Sequence, residues 1–383
     1  MHPAGYKVEN PHRNQHARKG KMDKKPVNKK IEDIYPLSPM QQGMLFHALY
    51  DPDSSAYFIR SSFTIQGKLN IDAFKKAWEH IGRSNPLFRT LFRWENVNEP
   101  VQIVLRDRAP EFTVHDFSHL DDLSGNAGID TFLKEDRAKP FDLSKWPLMR
   151  LNLFILGDDT YHFVWSYHHI LMDGWCLSLV ITDFFMSYTA IAKGQTPPLL
   201  KRPLYKNYIS WLKKQNREKT QSYWRELLHD VDSPTPLPAD FKPANRKGFR
   251  VAKRSLLLAE EITVKLQELT REKRATLNTL IQSAWALLLG RYSMKEDVIF
   301  GSVISGRPSN LAGSEEMVGL FINSLPVRVK IEKDTTLSGL LAELQKQSLK
   351  IQEFGYSFLP DIKACSRIPG TENLFNSRAF LHN

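Results

Sequence analysis

The sequence predicts an α/β fold arranged as two lobes. Segments of period-two alternation and segments with apolar residues at i, i+3, i+4 follow one another along the chain, the signature of mixed strands and helices. At 383 residues and 42% hydrophobic, the chain is long for one compact domain and ample for two cores. Pro197-Pro198 and the turn-rich stretch from Ser233 to Lys247 bracket a short helix, which marks a crossover between lobes. The expected organisation is a basic disordered linker or tail over residues 1–30, a first lobe over 31–215 and a second over 216–383.

Residues 1–30 hold nine Lys/Arg, two Asp/Glu and almost no large apolar side chains, as expected of a disordered segment. They carry +7 of the formal +11, which leaves the remaining 353 residues at only +4. A nucleic-acid surface needs its basic face on the folded part, so no nucleic-acid partner is expected. Order begins at Ile31. Ser38 can cap a helix that has Pro39 at its first position, and Gln41 stands at the capping-box position. Tyr57 to Gln66 reads as a strand and Asp72 to Gly82 as a helix. Arg89 then lies between Phe88 and Leu91 in an apolar strand, where a guanidinium is costly unless paired, so a buried ionic partner is expected.

In the second half, Glu260 to Thr270 and Thr276 to Leu289 read as helices. The latter is apolar nearly all round and so expected to be buried. Asp297 to Ile304 is a strand ending in Ser305-Gly306-Arg307-Pro308, and Thr336 to Gln352 is a helix.

The centre of the chain is His168-His169-Ile170-Leu171-Met172-Asp173-Gly174. Before it, Tyr161, Phe163, Trp165 and Tyr167 alternate with His162, Val164 and Ser166, as in a largely buried strand. After it, Cys176, Leu179, Val180, Phe184, Tyr188 and Ile191 form a helical stripe. The polar residues therefore occupy a strand-to-helix turn. Neighbours at a strand end point to opposite faces, so His168 and His169 cannot share one role. An imidazole with a pKa near ~6.5 can accept or relay a proton at neutral pH. Asp173 can cap the following helix or hold a cation, and Gly174 allows close approach of backbone.

No His, Cys or acidic cluster with ligand spacing follows, so no metal is expected. Two cysteines make a disulfide framework improbable and suit a reducing, cytoplasmic setting; Cys176 falls on the apolar stripe and reads as core. No apolar run is read as reaching the length of a bilayer span, and the N-terminus lacks a signal-peptide core, so no membrane partner is expected.

His-His-x-x-x-Asp-Gly after a strand resembles the active-site motif of acyltransferases with the chloramphenicol acetyltransferase fold, and especially of nonribosomal peptide synthetase condensation domains. Ser38-Pro-Met-Gln-Gln-Gly-Met-Leu-Phe-His47 resembles the first motif of those domains, in the form common where the upstream residue joined is an L-amino acid. Arg83 to Trp94 resembles the second motif, with Ser84 for the usual His and Phe88 for Leu. Leu204 to Trp211 resembles the fourth, with Asn207 for Asp, and Val318 to Arg328 the fifth; Phe358-Leu-Pro-Asp-Ile is loosely similar to the sixth. The likeness covers Ile31 to about Phe375. The last residues, Phe375 to Asn383, match nothing expected, so the second lobe is expected to be incomplete.

The resemblance implies two chloramphenicol acetyltransferase-like lobes in a V-shaped pseudo-dimer, with a tunnel between them. His169 would be the catalytic imidazole near its middle, with His168, Asp173 and Gly174 supporting it. Arg89 and Arg307 are the candidates for a structural ion pair with Asp173, and simple helix capping by Asp173 is the competing role. Ser38, Gln41, Trp175, Ser305 and Asn323 are candidates for the substrate side of the tunnel. The implied reaction is attack of an acceptor aminoacyl amine on a donor thioester. Substrates would arrive on phosphopantetheine arms of upstream and downstream peptidyl carrier proteins, beside the adenylation domain of the same synthetase, with no cofactor held covalently. A free-standing coenzyme A-dependent acyltransferase and a non-catalytic carrier-docking fragment are the alternatives.

Overall fold

The computed structural model describes residues 30–52, 54–157, 159–237 and 252–381. The basic tail, Lys30 excepted, and the turn-rich stretch from residue 238 onward lie outside the described residues.

The first body is built on a four-stranded sheet of β2 (Phe58–Gln66), β5 (Phe112–Asp116), β6 (Met149–Gly157) and β7 (Thr160–His168), in the order β2-β7-β6-β5. The central β7 runs antiparallel to β2 and β6, so Phe58 sits opposite His168. Alternation along β7 decides what each face touches. Phe163 and Trp165 meet α2 (Ile71–Ser84), with Trp78–Trp165 rings 4.9 Å and Phe74–Phe163 rings 5.1 Å apart. On the other face Val164 packs with Ile129 of α3 (Asp122–Arg137), and Ser166 donates to Asp136, whose carboxylate also pairs with Arg150 at 2.7 Å. A second, three-stranded sheet joins β1 (Ile31–Pro36), β4 (Val101–Leu105) and β3 (Thr90–Arg93) in that order. Between β1 and β2 runs α1 (Pro39–Tyr50), opened by the Ser38–Gln41 capping box.

From β7 the chain passes through a short loop into α4 (Trp175–Ala192). Among the described residues this is the one helix long and apolar enough, by length and composition, to cross a membrane. The expectation that no apolar run reaches that length is thereby corrected. The inner face explains the composition: Phe184 lies 4.8 Å from Phe74 and 4.9 Å from Trp78, in the core of the first body. That face also buries Asp183, which binds Arg202 at 2.6 and 2.8 Å.

After α5 (Tyr205–Leu212) and α6 (Arg217–Leu228), the second body forms from α7 (Glu260–Glu272), α8 (Leu277–Ser293), β8 (Asp297–Ile304), β9 (Asn323–Lys330), α9 (Leu337–Glu353), α10 (Leu359–Lys363) and β10 (Arg378–Ala379). Its sheet has the order β10-β8-β9. Trp224, Leu228, Val298, Phe300, Leu325 and Leu344 are central in its core. Full burial of α8 is not found. Ala286, Leu289 and Gly290 are buried, but Leu288 and Tyr292 are exposed, because among the described residues only one side of the helix has a packing partner.

One segment breaks the division. Met317, Val318, Leu320 and Phe321, which precede β9, belong to the core of the first body. Tyr205 on α5 donates to the Leu320 carbonyl at 2.6 Å, and a Cβ on Gly319 would lie 2.1 Å from the Tyr205 ring. Only glycine lets the segment lie this close to the ring.

Candidate active site

β7 ends at His168 and α4 starts at Trp175, so the six residues between are held at both ends by regular structure. The His168 ring is buried between Tyr57, 5.9 Å away, and Phe141. Burial, with His169 beside it, pushes its pKa down to about 3, so the ring is neutral. Its Nδ1 accepts from the Ile170 N–H at 3.1 Å, which leaves the proton on Nε2.

His169 is turned the other way. Its backbone N–H donates to the Tyr57 carbonyl at 2.8 Å, and its Nδ1 lies 2.9 Å from the Met172 carbonyl. A carbonyl can only accept, so Nδ1 carries a proton, and in the neutral ring Nε2 then presents the lone pair. Among the described residues Nε2 has no hydrogen-bond partner, and the ring is only partly buried. The arrangement is an imidazole with one unpartnered ring nitrogen on a fixed loop. Among the described residues no carboxylate holds the ring.

Asp173 does something else. It is 1% exposed, and Oδ2 accepts the backbone N–H groups of Phe321 at 2.9 Å and Ile322 at 3.2 Å. Oδ1 faces Arg307 Nη2 at 3.3 Å. Arg307 also donates to the Ser314 and Met317 carbonyls and lies 4.1 Å from the Phe321 ring centre. The capping role is excluded by geometry: the cap of α4 is Gly174, and no side chain bonds there. Arg89 is bound elsewhere, by Glu32 at 2.6 Å and the Leu105 carbonyl. It sits in a 3₁₀ turn, Pro86–Arg89, rather than in the strand, and its carboxylate partner is part-exposed.

Cys176 completes the cluster. Its thiol lies 3.3 Å from Asp173 Oδ1, and its sulfur accepts from Gly319 N–H at 3.2 Å and Arg307 at 3.1 Å. Burial and then Asp173 push its pKa up to about 12, so it is no nucleophile. Among the described residues no three His, Cys, Asp or Glu stand together as a metal site.

Several substrate-side candidates are placed differently from expectation. Ser38 and Gln41 are buried, Gln41 at 0% exposed, because the capping box turns both inward and Gln41 meets Gln102 and the Ile170 carbonyl. Asn323 is also buried; its amide donates to the Gly355 and Ser357 carbonyls, tying β9 to the end of α9. At Gly174 a Cβ would meet nothing within 4 Å, at φ −62°, so close approach does not require glycine there. Trp175 is 52% exposed, with its ring N–H donating to the Glu315 carbonyl at 3.0 Å. Ser305 is exposed and lines, with Arg307, Gln282, Tyr356 and Trp211, a cavity of about 880 Å³. Reasoning from sequence missed Tyr57, Met172 and Gln102, whose contributions are backbone carbonyls or long-range contacts that no local pattern marks.

The family profile described as the condensation domain matches residues 31–383. One of the linear gramicidin synthase proteins of Brevibacillus parabrevis is 41% identical over 356 residues, 93% of this chain and 7% of that protein. The chain thus spans a small part of the length of this relative. Among solved structures, the four-domain nonribosomal peptide synthetase AB3403, bound to AMP and glycine, superposes with a TM-score of 0.74 at 21% identity, covering 92% of this chain and 27% of that one. A variant of the starter condensation domain of rhizomide synthetase RzmA, in complex with C8-CoA, gives 0.72 at 20% identity, covering 91% and 78%. At these identities the superpositions establish the mixed α/β fold.

Proposed function

The chain belongs to the condensation-domain family of nonribosomal peptide synthetases, and from that premise we propose that it forms a peptide bond between two carrier-bound groups, with His169 at the reacting centre. The observation that carries this is the Nδ1–Met172 hydrogen bond, which fixes the tautomer and leaves Nε2 basic and unpartnered.

A thioester is already activated, so the task is to present a neutral amine. Free α-amines have pKa values of about 7.7–8.0, so only about a tenth to a sixth of the substrate is deprotonated at pH 7, and the site has to select that neutral form. Nε2 accepts a hydrogen bond from the acceptor amine and aims its lone pair at the donor carbonyl carbon. The C–N bond forms, the tetrahedral adduct collapses, and the C–S bond breaks. The proton lost by the amine passes through Nε2 to the departing thiolate. Positioning can contribute about 7–11 kcal/mol in favourable cases, and proton transfer a further ~10²–10⁴-fold.

The two bodies are read as the two acyltransferase-like lobes of the V. Asp173 and Arg307 hold the second against the first, and Trp175 and Ser305, both exposed, are the remaining substrate-side candidates. The acyl groups arrive on phosphopantetheine arms of flanking carrier proteins, with an adenylation domain in the same synthetase. A cytoplasmic setting suits the two free cysteines. The donor is assigned L configuration, on the form of the Ser38 to His47 motif.

The test is mass spectrometry of the condensed product with this chain and two loaded carrier proteins. Product is expected with an L-donor and absent with His169→Ala. Near-normal turnover by that variant removes His169 from the mechanism. Equal turnover of a D-donor overturns the stereochemical assignment, and transfer from acyl-coenzyme A without a carrier overturns the assignment of the donor.

A further inference from the structure

We propose that Gln41 is a positioning residue for the reaction, acting through the Ile170 carbonyl on the orientation and tautomer of His169. The proposal rests on the assignment of His169 given above. Gln41 and Gln102 are both fully buried, 61 residues apart in sequence, and face each other as a reciprocal amide pair. Gln102 Nε2 donates to Gln41 Oε1 at 3.0 Å, and Gln41 Nε2 lies 3.4 Å from Gln102 Oε1.

The backbone around them dictates which end of each amide points where. Ser38 N–H needs an acceptor and finds Gln41 Oε1 at 2.9 Å. The Pro36 carbonyl needs a donor and finds Gln102 Nε2 at 2.9 Å. With both amides fixed in this sense, Gln41 Nε2 must point at the remaining carbonyl, that of Ile170, 3.1 Å away. Neither amide can flip without setting donor against donor or oxygen against oxygen in a buried site.

Ile170 is the residue after His169, and its peptide plane is held from both sides. Its carbonyl takes the Gln41 bond, while the N–H of Leu171 donates to the His168 carbonyl at 3.1 Å. This plane directs the loop so that the Met172 carbonyl comes under the His169 ring. If Gln41 is lost, the plane can rotate, the Nδ1–Met172 bond loosens, and the proton can move to Nε2. That form cannot accept from the amine. A capping residue alone would influence only the start of α1, whereas this one reaches across the sequence to the reacting loop.

The test compares Gln41→Met, which removes every side-chain hydrogen bond of that residue at similar volume, with Gln102→Met, which leaves the Gln41–Ile170 bond in place. Both are made in the full chain and assayed with the two loaded carrier proteins, and histidine ¹⁵N shifts are recorded for each. Gln41→Met is expected to lower kcat about 10–100-fold with KM changed less than about threefold, and to mix the His169 tautomers. Gln102→Met is expected to retain the Nδ1–H form and most of kcat. If Gln41→Met does not fold, Gln41→Asn, which keeps the amide but falls short of Ile170, is expected to show the same signature. Unchanged tautomer and kcat in the folded Gln41 variant, or equal losses in the Gln41 and Gln102 variants, overturns the proposal. Should His169→Ala retain turnover, the ¹⁵N measurement still decides whether Gln41 sets the tautomer.

Discussion

Replacing Asp173 by Asn removes one charge from a buried cluster while keeping its size. The amide oxygen can take the place of Oδ2 and still accept from the Phe321 and Ile322 N–H groups. Its NH₂ must then face Arg307 Nη2 and Cys176, where Oδ1 stood, so donor meets donor. Arg307 remains charged and buried, with two carbonyls but no counter-ion. Breaking a buried pair in this way typically costs about 3–5 kcal/mol, against about 1 kcal/mol for loss of a helix cap. The lower figure is already roughly a 10²-fold change in the folding equilibrium. Urea denaturation followed by fluorescence measures it, with the m-value as a check that the same surface is exposed. Adding Arg307→Met to Asp173→Asn removes the stranded cation, so the double variant is expected to recover about 1–3 kcal/mol relative to the sum of the singles. A loss below about 1 kcal/mol for Asp173→Asn, or strict additivity of the two changes, would refute the ion-pair account.

Three further outcomes follow from the geometry. The unfolded His168 imidazole takes up a proton near pH 6.5 and the folded one near about 3, so its stabilising effect is full above 6.5 and is lost as pH falls through that window. The slope approaches about 1.4 kcal/mol per pH unit; His168→Asn, which keeps an acceptor for Ile170 N–H, is expected to flatten it in melts at pH 4–7. Gly319→Ala drives a methyl into the buried Tyr205 ring and is expected to destabilise by about 1–3 kcal/mol, read as a lower melting temperature; an unchanged melt would mean the segment can withdraw. Glu32→Gln at the part-exposed Arg89 pair is expected to cost no more than about 1 kcal/mol, since the Leu105 carbonyl still holds the guanidinium. A loss as large as that of Asp173→Asn would contradict the contrast between the two pairs.

Local signals were legible where they were local. The alternation of Tyr161 to Tyr167, the stripe of α4 and the Ser38–Gln41 box each correspond to an observed element within a residue or two. What lay between distant residues was not. Asp173 could be narrowed to Arg89, Arg307 or a cap, and only the fold brings Arg307 to it. Gln41 was assigned to the substrate side because its motif suggested function, but its partners, Gln102 and the Ile170 carbonyl, are 61 and 129 residues away. The apolar circumference of α8 misled because composition reports what could be buried, and packing decides which side is.

The placement of Met317, Val318, Leu320 and Phe321 in the core of the first body has a bearing on synthesis. The ribosome makes the sheet, α4 and Tyr205 first, and the residues that close the core leave it more than a hundred residues after α5. At about 5–20 residues per second the nascent first body waits on the order of 5–20 s with an aromatic slot open. Vectorial folding therefore cannot finish one half before beginning the other. Any split of this chain near residue 215 leaves the first fragment with an unfilled core and the second with an exposed apolar strap.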